Sequence, residues 1–348
     1  MAIQPTGKEV SAIEAIARKF MVGYAVPGFS VAFGHRDKVV FRAAYGAADE
    51  VNHQELTVDH TFRIASISKP LTAVAVFGLI EQGKLKAGDK VFGPGGLLVV
   101  DIGRELPPRV GKVTVHHLLT HTAGGWGNER TDPMFQHPEL EHADLIAQTL
   151  RDHPLQNDPG ASYAYSNFGY CVLGRIIEKA TGKSYDRHLQ EAVLDRCDIR
   201  TMNIAGNTLA ERATGEVVYH GHNDENPYDM NVRRMDAHGG WIARPEDLVK
   251  FLIHADGLAE VPDLLREATL KEMFQGTKAN AGYASGWAVN AVPNRWHSGS
   301  LPGTATIAVT TASGMCWAGF ANTRSPGISP ALDRVMWDIA KAVPEWRA

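Results

Sequence analysis

Phe62-Arg63-Ile64-Ala65-Ser66-Ile67-Ser68-Lys69-Pro70, continuing into Leu71-Thr72-Ala73-Val74-Ala75-Val76-Phe77-Gly78-Leu79-Ile80, is the stretch on which the reading of this chain turns. Its apolar run has the length and composition of a helix over 67–82, with Gln82-Gly83 as the stop signal. Residues three apart share a helix face, so the Ser66 hydroxyl and the Lys69 amine can meet. The first turn also carries unpaired N–H groups and the positive end of the helix dipole, which favour negative charge developing beside Ser66. Serine is a weak nucleophile until its proton is taken, and a desolvated lysine can take it. A Ser-x-x-Lys spacing recurs by chance about once in a chain this long, commonly as a helix cap or a solvated pair. The catalytic reading of Ser66 and Lys69 therefore depends on what accompanies them.

The 348 residues suffice for one large domain or two closely packed ones, and 44% hydrophobic with 21% charged residues is ordinary globular composition. A formal charge of −4 supplies no basic field for nucleic acid or an anionic membrane. The apolar run at 71–80 is too short to span a bilayer. Cys171, Cys197 and Cys316 are widely spaced, form no metal-type cluster and imply no disulfide framework. The N-terminus lacks the apolar core of a signal peptide, so a cytoplasmic chain is expected; an exported chain given a new start methionine would read the same.

Helical periodicity runs over 8–21, followed by a β-hairpin signal in 29–34 and 38–46 across His35-Arg36-Asp37. Segments 116–120, 142–152, 167–181 and 184–195 read as helices, and Arg244-Pro245-Glu246-Asp247 opens another. Strand character returns near 284–290, 294–300, 304–311 and 315–321, and 331–340 is an amphipathic helix. Strands at both ends with helices between them predict an α+β fold. An antiparallel sheet from 1–70 and 205–348, flanked by the terminal helices, packs beside a helical domain from 71–204. The site is expected in the cleft between them.

Two further patterns join the Ser-x-x-Lys pair. In Tyr165-Ser166-Asn167, just before a helix, a phenol near a cationic lysine can exchange a proton, and the Asn167 amide can bond both a substrate carbonyl and Lys69. In His297-Ser298-Gly299, on a predicted strand, Gly299 lets a substrate approach closely. The Ser300 N–H can then join the Ser66 N–H as an oxyanion hole. His238-Gly239-Gly240 also fits His-x-Gly, but it precedes a helix and is set aside.

Ser66-x-x-Lys69, Tyr165-x-Asn167 and His297-x-Gly299, in this order, resemble the three motifs of the serine β-lactamase and penicillin-binding-protein superfamily. The resemblance is nearest to its class C, D-alanyl-D-alanine carboxypeptidase and family VIII esterase branch. Phe62–Ser66, His117–Gly125 and Gly239–Leu248 agree with it as well, so it covers roughly 29–322. It implies a β-lactamase/transpeptidase-like fold, no cofactor and an acyl-enzyme on Ser66. Lys69 and Tyr165 share the proton traffic, and Ser66 and Ser300 hold the oxyanion. Asn167, His297 and Gly299 contact substrate. Which of Lys69 and Tyr165 is the base stays open.

Class C β-lactamases carry Lys where this chain has His297, and a neutral imidazole binds a carboxylate less strongly than an ammonium. The expected substrate is thus a small ester or amide, with a carboxylesterase foremost. A D-amino-acid peptidase, a D,D-carboxypeptidase, a weak β-lactamase or a slowly turning over penicillin-binding protein are the alternatives. The same resemblance places Glu129 near the family's amide-contact position. Trp126 is a candidate for the acyl pocket, as are Tyr163, Tyr228 and Trp241, all of which read equally as core. The histidine- and acid-rich 220–225 segment and the pair His137 and His142 lack a recognised ligand spacing, so no metal is assigned.

Overall fold

The structure is a computed structural model and describes residues 5–129 and 131–346. Helix α1 (Gly7–Tyr24) opens on Thr6, whose side chain caps the first turn in a reciprocal pair with Glu9. The hairpin β1 (Gly28–His35) and β2 (Lys38–Asp49) follows, then the short β3 (Gln54–Glu55) and β4 (Phe62–Arg63). A 3-10 turn over Ala65–Ile67 leads into α2 (Ser68–Glu81). The middle of the chain is helical, with α3 (Val115–Leu119), α4 (Pro133–Gln136), α5 (His142–Asp152), α6 (Asn167–Thr181) and α7 (Tyr185–Leu189). The expected single helix over 184–195 breaks after α7 into a π turn and a 3-10 turn.

Beyond it come β5 (Asn203–Ile204), β6 (Trp241–Ala243), α8 (Pro245–Ile253) and α9 (Glu267–Met273). The last part is β7 (Ala288–Val289), β8 (Arg295–Leu301), β9 (Thr304–Thr310), β10 (Met315–Ala321) and α10 (Ile328–Ala342). The N- and C-terminal strands form one antiparallel seven-stranded sheet in the order β3-β2-β1-β10-β9-β8-β7. A small second sheet, β4-β6-β5, was not foreseen. Its strands are two or three residues long, too short for alternation to show.

The period of two along a strand divides the large sheet between two cores. Phe29, Val31 and Phe33 of β1, Ala305, Ile307 and Val309 of β9, and Trp317 of β10 face α1 and α10. The alternate residues, Ala32, Ala308, Ala318 and Phe320, join the larger core that contains α8, α2 and α6. On that second face β9 also carries two buried threonines. Thr304 Oγ1 donates to the Arg63 carbonyl at 3.0 Å and Thr306 Oγ1 to the Ile64 carbonyl at 2.9 Å. They fasten the segment just before Ser66 to the sheet. Among the described residues, no helix is long and apolar enough to cross a membrane.

Candidate active site

Ser66 sits in the 3-10 turn that feeds α2, directly after Ala65 at φ +49°. A non-glycine residue in the left-handed region costs about 1–3 kcal/mol and persists only where its surroundings hold it. Here the holding groups are the β9 threonines, together with Ser68 Oγ, which donates to the Ala65 carbonyl at 2.8 Å. Gly299 completes the seat. A Cβ there would lie 2.2 Å from the Ile64 carbonyl oxygen, so only glycine lets β8 come this close to the turn. Ser300 and Ser298 of β8 line the same cleft as Ser66, whose volume is about 600 Å³.

Lys69, in the first turn of α2 and three residues on from Ser66, is fully buried. Its Nζ lies 3.1 Å from Ser66 Oγ and donates to Asn167 Oδ1 at 2.7 Å and to the His238 carbonyl at 3.0 Å. The Asn167 orientation follows from its other end, where Nδ2 donates to Asp132 Oδ2 at 2.6 Å. Burial pushes the Lys69 amine down to about 7, although the nearby Asp132 carboxylate pulls the other way. Two hydrogens of the neutral amine go to pure acceptors, which leaves its lone pair for the Ser66 hydroxyl. That is the arrangement of a general base. Tyr165 lines the cleft beside Ser66, and its ring centroid lies 4.8 Å from Lys69 Nζ. Burial drives its phenol well above the ordinary tyrosine value, so it stays protonated and can donate.

Ser166, not Asn167, caps α6, its Oγ accepting from the Gly169 N–H at 3.0 Å. Asn167 is thereby free to bridge Lys69 and Asp132. Asn128 pins this segment: its N–H donates to the Tyr165 carbonyl at 2.8 Å, and its Oδ1 accepts from the Asn167 N–H at 2.9 Å. Thus Ser66, Lys69, Tyr165, Asn167, His297 and Ser300 converge on one cleft, with Gly299 behind it.

Four of the candidates lie elsewhere. Trp126 is buried against Phe92 and Phe168, and its Nε1 donates to the His153 carbonyl, so its role is packing within the helical region. Glu129 is exposed, and the cleft wall is formed by its neighbour Asn128. Trp241 packs on Tyr185 and Tyr228 on Tyr219 beside Arg63; neither lines the cleft.

Several functional residues escaped the sequence reading. Asp132 combines a cleft-lining carboxylate with the N-cap of α4, and Asp132-Pro133 alone signals only the cap. His238, set aside as a second His-x-Gly, lies in the turn before β6, and its contribution to Lys69 is a backbone carbonyl. No side-chain pattern announces that. Tyr283 and Arg324 also line the cleft, the latter paired with Glu225.

Residues 13–341 match the family model described as Beta-lactamase. The chain belongs to the beta-lactamase family. Among curated relatives it is 26% identical over 301 residues to Penicillin-binding protein 4* of Bacillus subtilis, covering 78% of this chain and 62% of that protein. It is 30% identical over 214 residues to Esterase EstB of Burkholderia gladioli, covering 56% of this chain and 50% of that protein. The matches thus span less than two thirds of these relatives' length. Among solved structures, D-amino acid amidase from Ochrobactrum anthropi aligns over 97% of this chain and 98% of its own. Its TM-score is 0.77 at 22% identity, a likeness of fold.

Proposed function

We propose that the protein is a serine hydrolase that forms an acyl-enzyme on Ser66 and acts foremost as a carboxylesterase on small esters. The observation that carries this reading is the Ser66 Oγ–Lys69 Nζ approach of 3.1 Å, with Lys69 held by two acceptors and its amine lowered to about 7. Lys69 takes the Ser66 proton as Oγ attacks the carbonyl carbon. The Ser66 and Ser300 N–H groups receive the oxyanion. Tyr165, protonated, passes its proton to the leaving alkoxide and is reprotonated from Lys69; water then releases the acid by the reverse path. Trp296, Leu301 and Phe135 supply apolar wall for an acyl chain, and the family relationship to an esterase supports the same substrate class.

A second reading rests on Asp132. A carboxylate lining the cleft favours a substrate ammonium, as an amino-acid amide would present. Turnover of p-nitrophenyl acetate and butyrate, D- and L-amino-acid amides and nitrocefin, by wild type and Ser66→Ala, separates these. The ester reading expects the nitrophenyl esters to give the highest kcat/KM and Ser66→Ala to abolish it. Amide turnover exceeding ester turnover would transfer the assignment to the second reading. Stoichiometric acylation without turnover of any substrate would refute both.

A further inference from the structure

Along one wall of the cleft, Tyr283 and His297 join the buried His121 in a chain of hydrogen bonds whose direction can be read at every link. His121 Nδ1 accepts from the Ser166 backbone N–H at 3.1 Å. A ring nitrogen that accepts carries no proton, so this imidazole holds its hydrogen on Nε2. From there it donates to the Tyr283 hydroxyl at 3.2 Å. At the far end His297 Nδ1 lies 2.7 Å from the Ser298 carbonyl oxygen, which can only accept; Nδ1 therefore carries the proton. His297 Nε2, 3.0 Å from the Tyr283 hydroxyl, is left to accept the one hydrogen Tyr283 has to give.

We propose that His121 and Tyr283 are positioning residues that hold His297 as the neutral Nδ1–H imidazole with both nitrogens engaged, so that the third motif offers a substrate neither a cation nor a free donor. The surroundings agree. Lys69 is the charged group facing the network, and the rings of Tyr163, Tyr165 and Tyr170 wall the rest. Burial and the Lys69 charge push His297 down to about 3 and His121 well below the usual histidine range. The chain also has a mechanical role. Ser166 adjoins Tyr165, and His297 lies on β8, so the three side chains strap the second motif to the third along the cleft wall. This inference rests on the ester-hydrolase reading for its bearing on substrates, and it narrows that reading to acyl groups recognised without an imidazolium.

Protein labelled with 15N-histidine, in long-range 1H–15N correlation spectra from pH 5.5 to 8, tests the network directly. His297, assigned by its loss in His297→Gln, is expected to show the neutral Nδ1–H pattern at every pH. Tyr283→Phe is expected to shift its Nε2 resonance toward that of an unbonded nitrogen and to lower kcat about tenfold with little change in KM. The kcat/KM ratio of a carboxylate-bearing to a neutral p-nitrophenyl ester is expected to stay flat over the same range. An Nε2–H pattern, a titration within the range, or a threefold rise of that ratio toward pH 5.5 would overturn the proposal. The wild-type spectrum suffices if Tyr283→Phe does not fold. Because the spectra need no turnover, an enzyme inactive on both esters but showing the expected pattern would refute the ester reading and uphold the network.

Discussion

Lys69 shows how much chemistry one buried side chain can acquire from its partners. Asn167 Oδ1 and the His238 carbonyl fix the amine, while Asp132 fixes Asn167 in turn. The neutral amine is the active form, so kcat/KM for a neutral ester should fall about tenfold per pH unit below the Lys69 value of about 7 and level off above it. A profile flat between pH 5.5 and 8 would contradict Lys69 as base. Asp132 raises that value, since an anion favours the ammonium beside it. Asp132→Asn keeps an acceptor for Asn167 and removes the charge, so the acidic limb should move to lower pH; a move upward would mean that Asp132 acts otherwise. Ser66, Lys69 and Tyr165 were legible in sequence because their chemistry is carried by side chains at short fixed spacings. Asp132 and the His238 carbonyl were not, because one is disguised as a helix cap and the other is backbone.

The elements explain why Ser66 is presented as it is. A left-handed Ala65 is held by β9 threonines on one side and approached by Gly299 of β8 on the other. Gly299→Ala places a methyl 2.2 Å from the Ile64 carbonyl oxygen, and the resulting displacement should lower kcat about 10²-fold. Thr306→Val keeps the shape but removes one of the two hydrogen bonds that carbonyl accepts, leaving the Ile67 N–H at 3.2 Å, at a cost of about 0.5–1.5 kcal/mol in denaturant unfolding. Retention of full activity by Gly299→Ala would show that the turn tolerates movement. The helices around the motifs and the β8, β9 and β10 strands were readable from periodicity. The β4-β6-β5 sheet was invisible to it, because strands this short are specified by tertiary contact.

At the scale of the whole molecule, the chain's two ends meet in one sheet whose faces serve different purposes. The face toward α1 and α10 is aliphatic and aromatic core on the side of the sheet away from the nucleophile turn, and it meets the cleft wall at Trp296. Met336→Ala, at a fully buried position of α10, should therefore cost about 2–5 kcal/mol of stability with kcat/KM unchanged in the folded protein. A proportional loss of activity would mean that the terminal helices reach the site. The opposite face seats the nucleophile turn and supports the helical region that delivers Tyr165 and Asn167. That division was foreseeable from strands at both ends of the sequence. The occupants of the cleft wall were not, since Trp126 turns into the core and Asn128 rather than Glu129 forms the wall, in a stretch of loop that no motif specifies.

The most direct test is to trap the intermediate. Rapid acid quench during turnover of p-nitrophenyl butyrate, followed by intact-mass measurement and peptide mapping, reads both the existence and the address of the acyl group. The expected result is one butyryl group per chain, on the peptide containing Ser66, absent in Ser66→Ala and formed far more slowly in Lys69→Ala. An acyl group on another residue, or turnover undiminished in Ser66→Ala, would contradict it.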